Sequence, residues 1–366
     1  MTKLKSLYVA ASSQHVGKTT STLGLASCFG QMGYKVGYCK PVGQQAVTVG
    51  INPVDKDTVL FADLIQFNIE PMLHSPVILG KGATSDFLED PGRFNYKEQI
   101  MHASQVLEAS HDLVIYEGTG HPGVGSVVNL SNAEVARMLG AGVVFIVEGG
   151  IGSAIDKLNM NLALFRESGV PILGIIANKV IAEKVDKIQH YLSIWLKQQN
   201  LPLLGVLPYD ESLAYPLMFS VVDSIYGKVQ YNPQKLDNQV EGFLAGSLID
   251  SEKIQNGKNL LLVVSTPKVD EAVTTIKYLC NRFKLDGPPL AGIVATGQGD
   301  LSERVIDFVK EHQIPLVSTH FDTYGSVIKI SRIEVKINLD TPWKIMRAIE
   351  LINENVDLEL LKQKLS

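Results

Sequence analysis

The chain has 366 residues, of which 45% are hydrophobic and 19% charged, with a formal net charge of −5 from 33 basic and 38 acidic side chains. This much apolar material supports buried cores, and so low a charge density excludes a disordered chain. No block of like charge and no basic stripe with interleaved aromatics is present, which argues against a nucleic-acid partner.

In chain order, Leu7 to Ala11 is a short apolar run with the character of a buried strand. The polar loop Ser12 to Gly17 follows, then a helix over Lys18 to Gln31 with Leu23, Ala26 and Phe29 on one face and Gly33 as its stop. Lys35 to Cys39 is the next strand, ended by Lys40-Pro41. Further strands are expected at Leu113–Tyr116, Val143–Val147, Ile172–Ala177 and Leu203–Leu207, with helices such as Glu134–Leu139 and Asp156–Glu167 between them. Continuous apolar strands alternating with helices predict a parallel sheet covered on both faces, with ligands at the strands' carboxyl ends.

The pattern changes after Tyr209. From Asp210 to Lys258 only helical pieces are expected, and then a second alternating set begins with strands at Leu260–Val264, Leu290–Ala295 and Leu316–Ser318. Its helices are Val269–Arg282, Leu301–His312 and the late Pro342–Asn353. The predicted division is a nucleotide-binding domain at 1–212, a helical connecting region at 213–255 and a smaller α/β domain at 256–366.

The segment Ser12-Ser13-Gln14-His15-Val16-Gly17-Lys18-Thr19 nearly fits the phosphate-loop pattern GxxxxGK[ST], with Ser12 in the first glycine's place. Strand, loop and helix stand in the required order. Backbone N–H groups of Ser13 to Thr20 then point at phosphate, Lys18 reaches the β- and γ-phosphates, and the Thr19 hydroxyl ligates Mg²⁺. His15 is equally readable as a plain loop residue. Cys28, Cys39 and Cys280 show no CxxC spacing and read as packed, reduced thiols. No apolar run is long enough to span a membrane, and the first residues lack a signal peptide's apolar region. The expectation is a soluble, cytoplasmic protein without a membrane partner.

With Lys40-Pro41 and Glu117-Gly118-Thr119-Gly120 added, the N-terminal half resembles dethiobiotin synthetase and its relatives, whose loop also ends VGKT without an initial glycine. The resemblance implies a P-loop NTPase doubly wound parallel sheet. It matches the family's second lysine to Lys40, its aspartate to Asp57 (with Asp55 as the alternative) and its adenine-contacting asparagine to Asn178. Across the whole chain, Leu79 to Phe87 and the second domain resemble the N-terminal region of long bacterial phosphate acetyltransferases, where such a domain precedes a DRTGG domain. Asp322-Thr323-Tyr324 keeps that domain's pattern, whereas Thr266-Pro267-Lys268 and Thr296-Gly297-Gln298 depart from its name motif.

The resemblance implies ATP with Mg²⁺ held by Thr19, Asp57 and Glu117, with Lys18 and Lys40 as the catalytic cations. Asn178 and Pro208 join the nucleotide contacts, and Glu148 stands behind them. The expected role is an ATP-binding regulatory or sensing module with slow hydrolysis, tied to acetyl-phosphate or central-carbon metabolism through a small-molecule effector or an enzyme partner. The competing expectation is an ATP-dependent ligase that activates a carboxylate or carbamate, as dethiobiotin synthetase and the cobyrinate-amidating enzymes do. A homodimer is expected. Phosphate acetyltransferase activity is not expected, on the reading that its catalytic domain is absent.

Overall fold

A computed structural model describes residues 4–366 except 247, 334, 336 and 340. It divides into two units, Met1–Asp210 with Ile337–Ser366, and Glu211–Lys336. The first unit runs β1 (Ser6–Ala11), α1 (Lys18–Gln31), β2 (Val36–Cys39), α2 (Lys56–Leu64), α3 (Tyr96–Ser110), β3 (Leu113–Glu117), α4 (Asn132–Met138), β4 (Gly142–Glu148), α5 (Gly152–Glu167), β5 (Ile172–Val180), α6 (Val185–Gln198) and β6 (Leu203–Pro208). The six strands form one parallel sheet in the order β6-β5-β4-β1-β3-β2.

Helices on both faces explain the unbroken apolar strands. Within β1, Tyr8 and Ala10 join the core beneath α3, α4, α5 and α6, while Leu7, Val9 and Ala11 join the core beneath α1. The register pairs Val9 with Glu117 and Cys39 with Tyr116. The ends of β1, β2 and β3 therefore open side by side at one edge, and the phosphate loop, Lys40 and Glu117 all stand there.

The second unit contains α7 (Met218–Ser224), β7 (Lys228–Tyr231), β8 (Gly242–Ala245), α8 (Ser251–Asn256), β9 (Leu260–Ser265), α9 (Val269–Phe283), β10 (Leu290–Thr296), α10 (Glu303–Glu311), β11 (Leu316–Thr319) and α11 (Thr323–Ser331). Its five-stranded sheet has the order β7-β11-β10-β9-β8. All neighbours are parallel except β7, which runs against β11. The stretch expected to be a helical connection thus supplies both edge strands of this sheet. Edge position explains the weak signal: β7 alternates exposed and half-buried residues, and only Leu244 of β8 is buried.

The last helices, α12 (Pro342–Asn355) and α13 (Leu358–Leu365), also depart from the expected division, since they belong to the first unit. Ala348, Ile352 and Val356 share one core cluster with Leu25 of α1, Leu173 and Ile176 of β5, and Leu204 and Leu207 of β6. Without α12 that apolar face of β5 and β6 would meet water. The close approach falls at Gly24 of α1, where a Cβ would lie 2.3 Å from Ile352 Cγ1.

Candidate functional site

The phosphate loop turns into α1 at Gly17, which has φ 90° and ψ 28°. Glycine enters this left-handed region without steric cost. A Cβ at Gly17 would also lie 2.0 Å from Asn178 Nδ2, so the turn and the neighbouring strand end both need glycine. Asn178 braces the loop: its Nδ2 donates to the Val16 carbonyl at 2.9 Å, and its Oδ1 accepts the Lys179 N–H at 2.8 Å. Lys179 Nζ donates to the His15 carbonyl. Ser13, Gln14 and His15 are exposed, Val16 is buried, and Gly17 to Thr20 are half-buried.

Four elements converge beyond the loop. Lys18 Nζ donates to the Gly120 carbonyl at 3.0 Å. Thr19 Oγ1 donates to Glu117 Oε1 at 2.7 Å, and Lys40 Nζ reaches the same oxygen at 3.1 Å. Lys40 Nζ also pairs with Asp57 Oδ2, and the Tyr38 hydroxyl donates to Glu117 Oε2 at 3.2 Å. Glu117 is 0% exposed and Lys40 5%. A carboxylate this deep persists only when its lone pairs are met, and here a hydroxyl, a phenol and an ammonium meet them.

Burial pushes the Glu117 carboxyl above its ordinary range, against the opposing pull of Lys40. Burial likewise opposes the Lys40 ammonium, but Glu117, Asp57 and Asp55 outweigh it and hold Lys40 above the usual lysine range. Lys18 is pushed down to about 8, by burial first and by the Lys40 charge second. Burial pushes the Cys39 thiol well up, which keeps it an unreactive thiol as expected.

Thr19, Asp57 and Glu117 form a set of hard oxygens with a cationic head among them. Such a set fits Mg²⁺, which takes one or two carboxylates and completes its shell with phosphate oxygens and water. Among the described residues no group of three or more His, Cys, Asp or Glu side chains is arranged to hold a metal by itself. A metal held by Thr19, Asp57 and Glu117 would complete its shell with substrate oxygens and water.

Asp55 has a different task. Its Oδ1 accepts from Asp57 N–H at 3.0 Å and caps α2, and its Oδ2 accepts from Gln44 and Gln45 N–H groups at 3.1 and 3.3 Å. These backbone donors take up the carboxylate, which leaves Asp57 facing Lys40. Glu148 is exposed at the end of β4 and makes no side-chain hydrogen bond among the described residues. Pro208 closes β6 beside Val180, half-buried and separated from β1 by β5 and β4.

Asn132 was not singled out from sequence, yet it holds the turn after β3. Its Oδ1 accepts from the Tyr8 hydroxyl at 2.7 Å and from Thr119 N–H at 2.9 Å. Its Nδ2 donates to the Thr119 and His121 carbonyls at 2.8 and 2.7 Å. A Cβ at Gly118 would meet Asn132 Oδ1 at 2.5 Å, so the Glu-Gly turn and this asparagine fit as a pair. Tyr38 was missed too; it stacks on Phe61 with 3.8 Å between ring centroids and aims its hydroxyl at Glu117. A tyrosine in an apolar strand carries no signal that its polar end is in use.

Comparisons with known proteins fit this arrangement. Residues 5–216 match the family described as an AAA domain. The phosphate acetyltransferase of Nitrosomonas europaea is 22% identical over 379 residues, covering 99% of this chain and 52% of that protein. The phosphate acetyltransferase of Nitratidesulfovibrio vulgaris is 23% identical over 368 residues, covering 98% of this chain and 51% of that protein. A probable cobyric acid synthase of Methanocaldococcus jannaschii is 26% identical over 239 residues, or 57% of this chain and 46% of that protein. The chain spans about half the length of the phosphate acetyltransferases it matches. The match over nearly the whole chain corrects the expectation that acetyltransferase activity is excluded by an absent domain, because proteins of that name carry this entire stretch. No helix among the described residues is long and apolar enough to cross a membrane. Through the P-loop unit at its N-terminal end, the chain belongs to the AAA domain family.

Proposed function

We propose that the chain binds ATP with Mg²⁺ at the phosphate loop, hydrolyses it slowly, and acts as a regulatory or sensing module in acetyl-phosphate or central-carbon metabolism. The observation that carries the binding site is the convergence of Thr19 and Lys40 on one oxygen of buried Glu117, beside Lys18 and the N-terminus of α1. The metabolic setting is supported by the likeness to phosphate acetyltransferases along nearly the whole chain.

Lys18 and Lys40 neutralise charge on the γ-phosphoryl oxygens, and the loop N–H groups orient the chain of phosphates. Thr19, Asp57 and Glu117 would hold Mg²⁺, which supplies further positive charge to the β- and γ-phosphate oxygens. Asn178 keeps one amide hydrogen and one lone pair beyond its two loop bonds, enough for one adenine edge contact. The second unit is assigned to the DRTGG type on its Asp322-Thr323-Tyr324 segment, in which Asp322 caps α11. A small-molecule effector or an enzyme is its partner, and the assembly is a cytoplasmic homodimer.

The likeness to a probable cobyric acid synthase favours a second reading, in which ATP activates a carboxylate for attack by an amine. A thermal-shift series with ATP, ADP and GTP tests the premise common to both. Stabilisation by ATP in the wild type and its loss in Lys18→Ala are expected; an unchanged response in Lys18→Ala would remove the site. Phosphate release in the presence of Mg²⁺, alone and with amine acids plus bicarbonate, separates the two. Substrate-stimulated release lost in Lys40→Ala would overturn the regulatory reading.

A further inference from the structure

The cation among the proposed metal ligands is part of the protein. Lys40 Nζ pairs with Asp57 and lies 3.1 Å from Glu117 Oε1, and that same oxygen accepts the Thr19 hydroxyl at 2.7 Å. Two of the three groups assigned to Mg²⁺ therefore pair with one ammonium, and the third, Thr19, bonds the carboxylate oxygen that the ammonium reaches. One ammonium offsets half the charge of the two carboxylates, and a divalent ion brought between them meets a like charge at contact distance. The ammonium ends a flexible four-carbon stem and can leave when another anion offers itself.

We propose that Lys40 is a resident counter-ion that keeps divalent metal out of this site until a phosphate chain arrives. This rests on the nucleotide reading of the site. The incoming phosphates give the ammonium a new anionic partner and bring the oxygens that a metal needs beside Asp57 and Glu117. Binding is thereby ordered, with the phosphate chain ahead of the metal or entering together with it. The same movement carries Lys40 from the two carboxylates to the phosphoryl group, where its charge is used. A lysine is required for this exchange: an apolar residue would leave two facing carboxylates that collect free metal.

The test uses Mn²⁺ alone, followed by loss of the free-ion paramagnetic resonance signal, on the whole chain without nucleotide. Lys40→Met and Lys40→Gln are expected to bind Mn²⁺ at least about tenfold more tightly than the wild type, as a cation site freed of its ammonium should. Adding Asp57→Asn to Lys40→Gln is expected to remove that gain. Equal Mn²⁺ affinity in the wild type and both variants would overturn the proposal. If Lys40→Met unfolds without metal, Mn²⁺ is expected to restore its tryptophan fluorescence, and failure to do so, with no gain in Lys40→Gln, also overturns it. A parallel titration of the wild type with ATP keeps the two ideas apart. ATP binding without any metal gain in the variants removes the counter-ion role alone, whereas a metal gain without ATP binding in the wild type removes the nucleotide reading and leaves the exclusion of metal by Lys40 standing.

Discussion

Gly24 offers a perturbation whose sign reports on the packing of α12. On an exposed helix, Gly→Ala stabilises by about 1 kcal/mol, because alanine loses less backbone entropy. Here the added Cβ would stand 2.3 Å from Ile352 Cγ1, 2.8 Å from Ile352 Cβ and 2.9 Å from the Ala348 carbonyl oxygen. A side-chain tip could swing away, but a Cβ and a carbonyl oxygen move only with their helix. Overpacking of this kind costs about 1–3 kcal/mol, and the backbone contact argues for the upper part of that range. Set against the helix-propensity gain, Gly24→Ala is expected to destabilise the first unit by about 2 kcal/mol. Both tryptophans, Trp195 and Trp343, lie in that unit, so urea unfolding followed by their fluorescence reports on it directly. In Gly24→Ala/Ile352→Ala only the Cγ1 contact is relieved, so the pair should be non-additive by about 0.5 kcal/mol or more while rescue stays incomplete. A Gly24→Ala protein as stable as the wild type, or more stable, would refute the packing of α12 on α1.

Two further outcomes follow from the site. Lys18 has its ammonium pushed down to about 8 from an ordinary 10.5, so between those values the folded chain holds fewer protons than the unfolded one. Its contribution to stability therefore rises with pH across that window, whereas ATP binding, which needs the ammonium, weakens by up to about tenfold per pH unit above about 8. Calorimetry at pH about 9 in buffers of different ionisation enthalpy should show uptake of nearly one proton on binding, lost in Lys18→Ala; zero uptake in the wild type would contradict the assignment. Asn132→Ala strands the Thr119 N–H, the Thr119 carbonyl and the Tyr8 hydroxyl, with a cost of about 3 kcal/mol expected from buried polar groups left unpaired, whereas the His121 carbonyl keeps the Val124 N–H. A loss below about 1 kcal/mol in the same urea assay would show that the turn holds itself.

Much of the site was legible from chain order. The strand before Ser12, the GKT at the start of α1 and the polar residues closing β2 and β3 are local features, and a parallel sheet gathers strand ends at one edge. The choice between Asp55 and Asp57 was not legible. Both carboxylates stand two residues apart near one helix start, and only the Gln44 and Gln45 N–H groups, folded back onto Asp55, commit that one to the backbone. Asn178 was matched to adenine by resemblance, and its hold on the Val16 carbonyl emerges only when β5 lies close to the loop. Asn132 and Tyr38 carried no periodic signal, because one polar atom aimed into a core leaves no trace in an apolar pattern.

The division of the chain shows the same limit at a larger scale. Sequence by itself determined the alternation of strands and helices, the nucleotide-type loop and the presence of two sheets, since these follow from periodicity and from short-range turn chemistry. Only the tertiary structure decided that the edge strands β7 and β8 arise from an apparently helical stretch and that α12 returns to the first unit. The apolar stripe of a helix states that it must be covered, and the shape and chemistry of the available surfaces decide where. For α12 that surface is the open face of β5 and β6 beside Gly24, a residue with no side chain to hold the helix off.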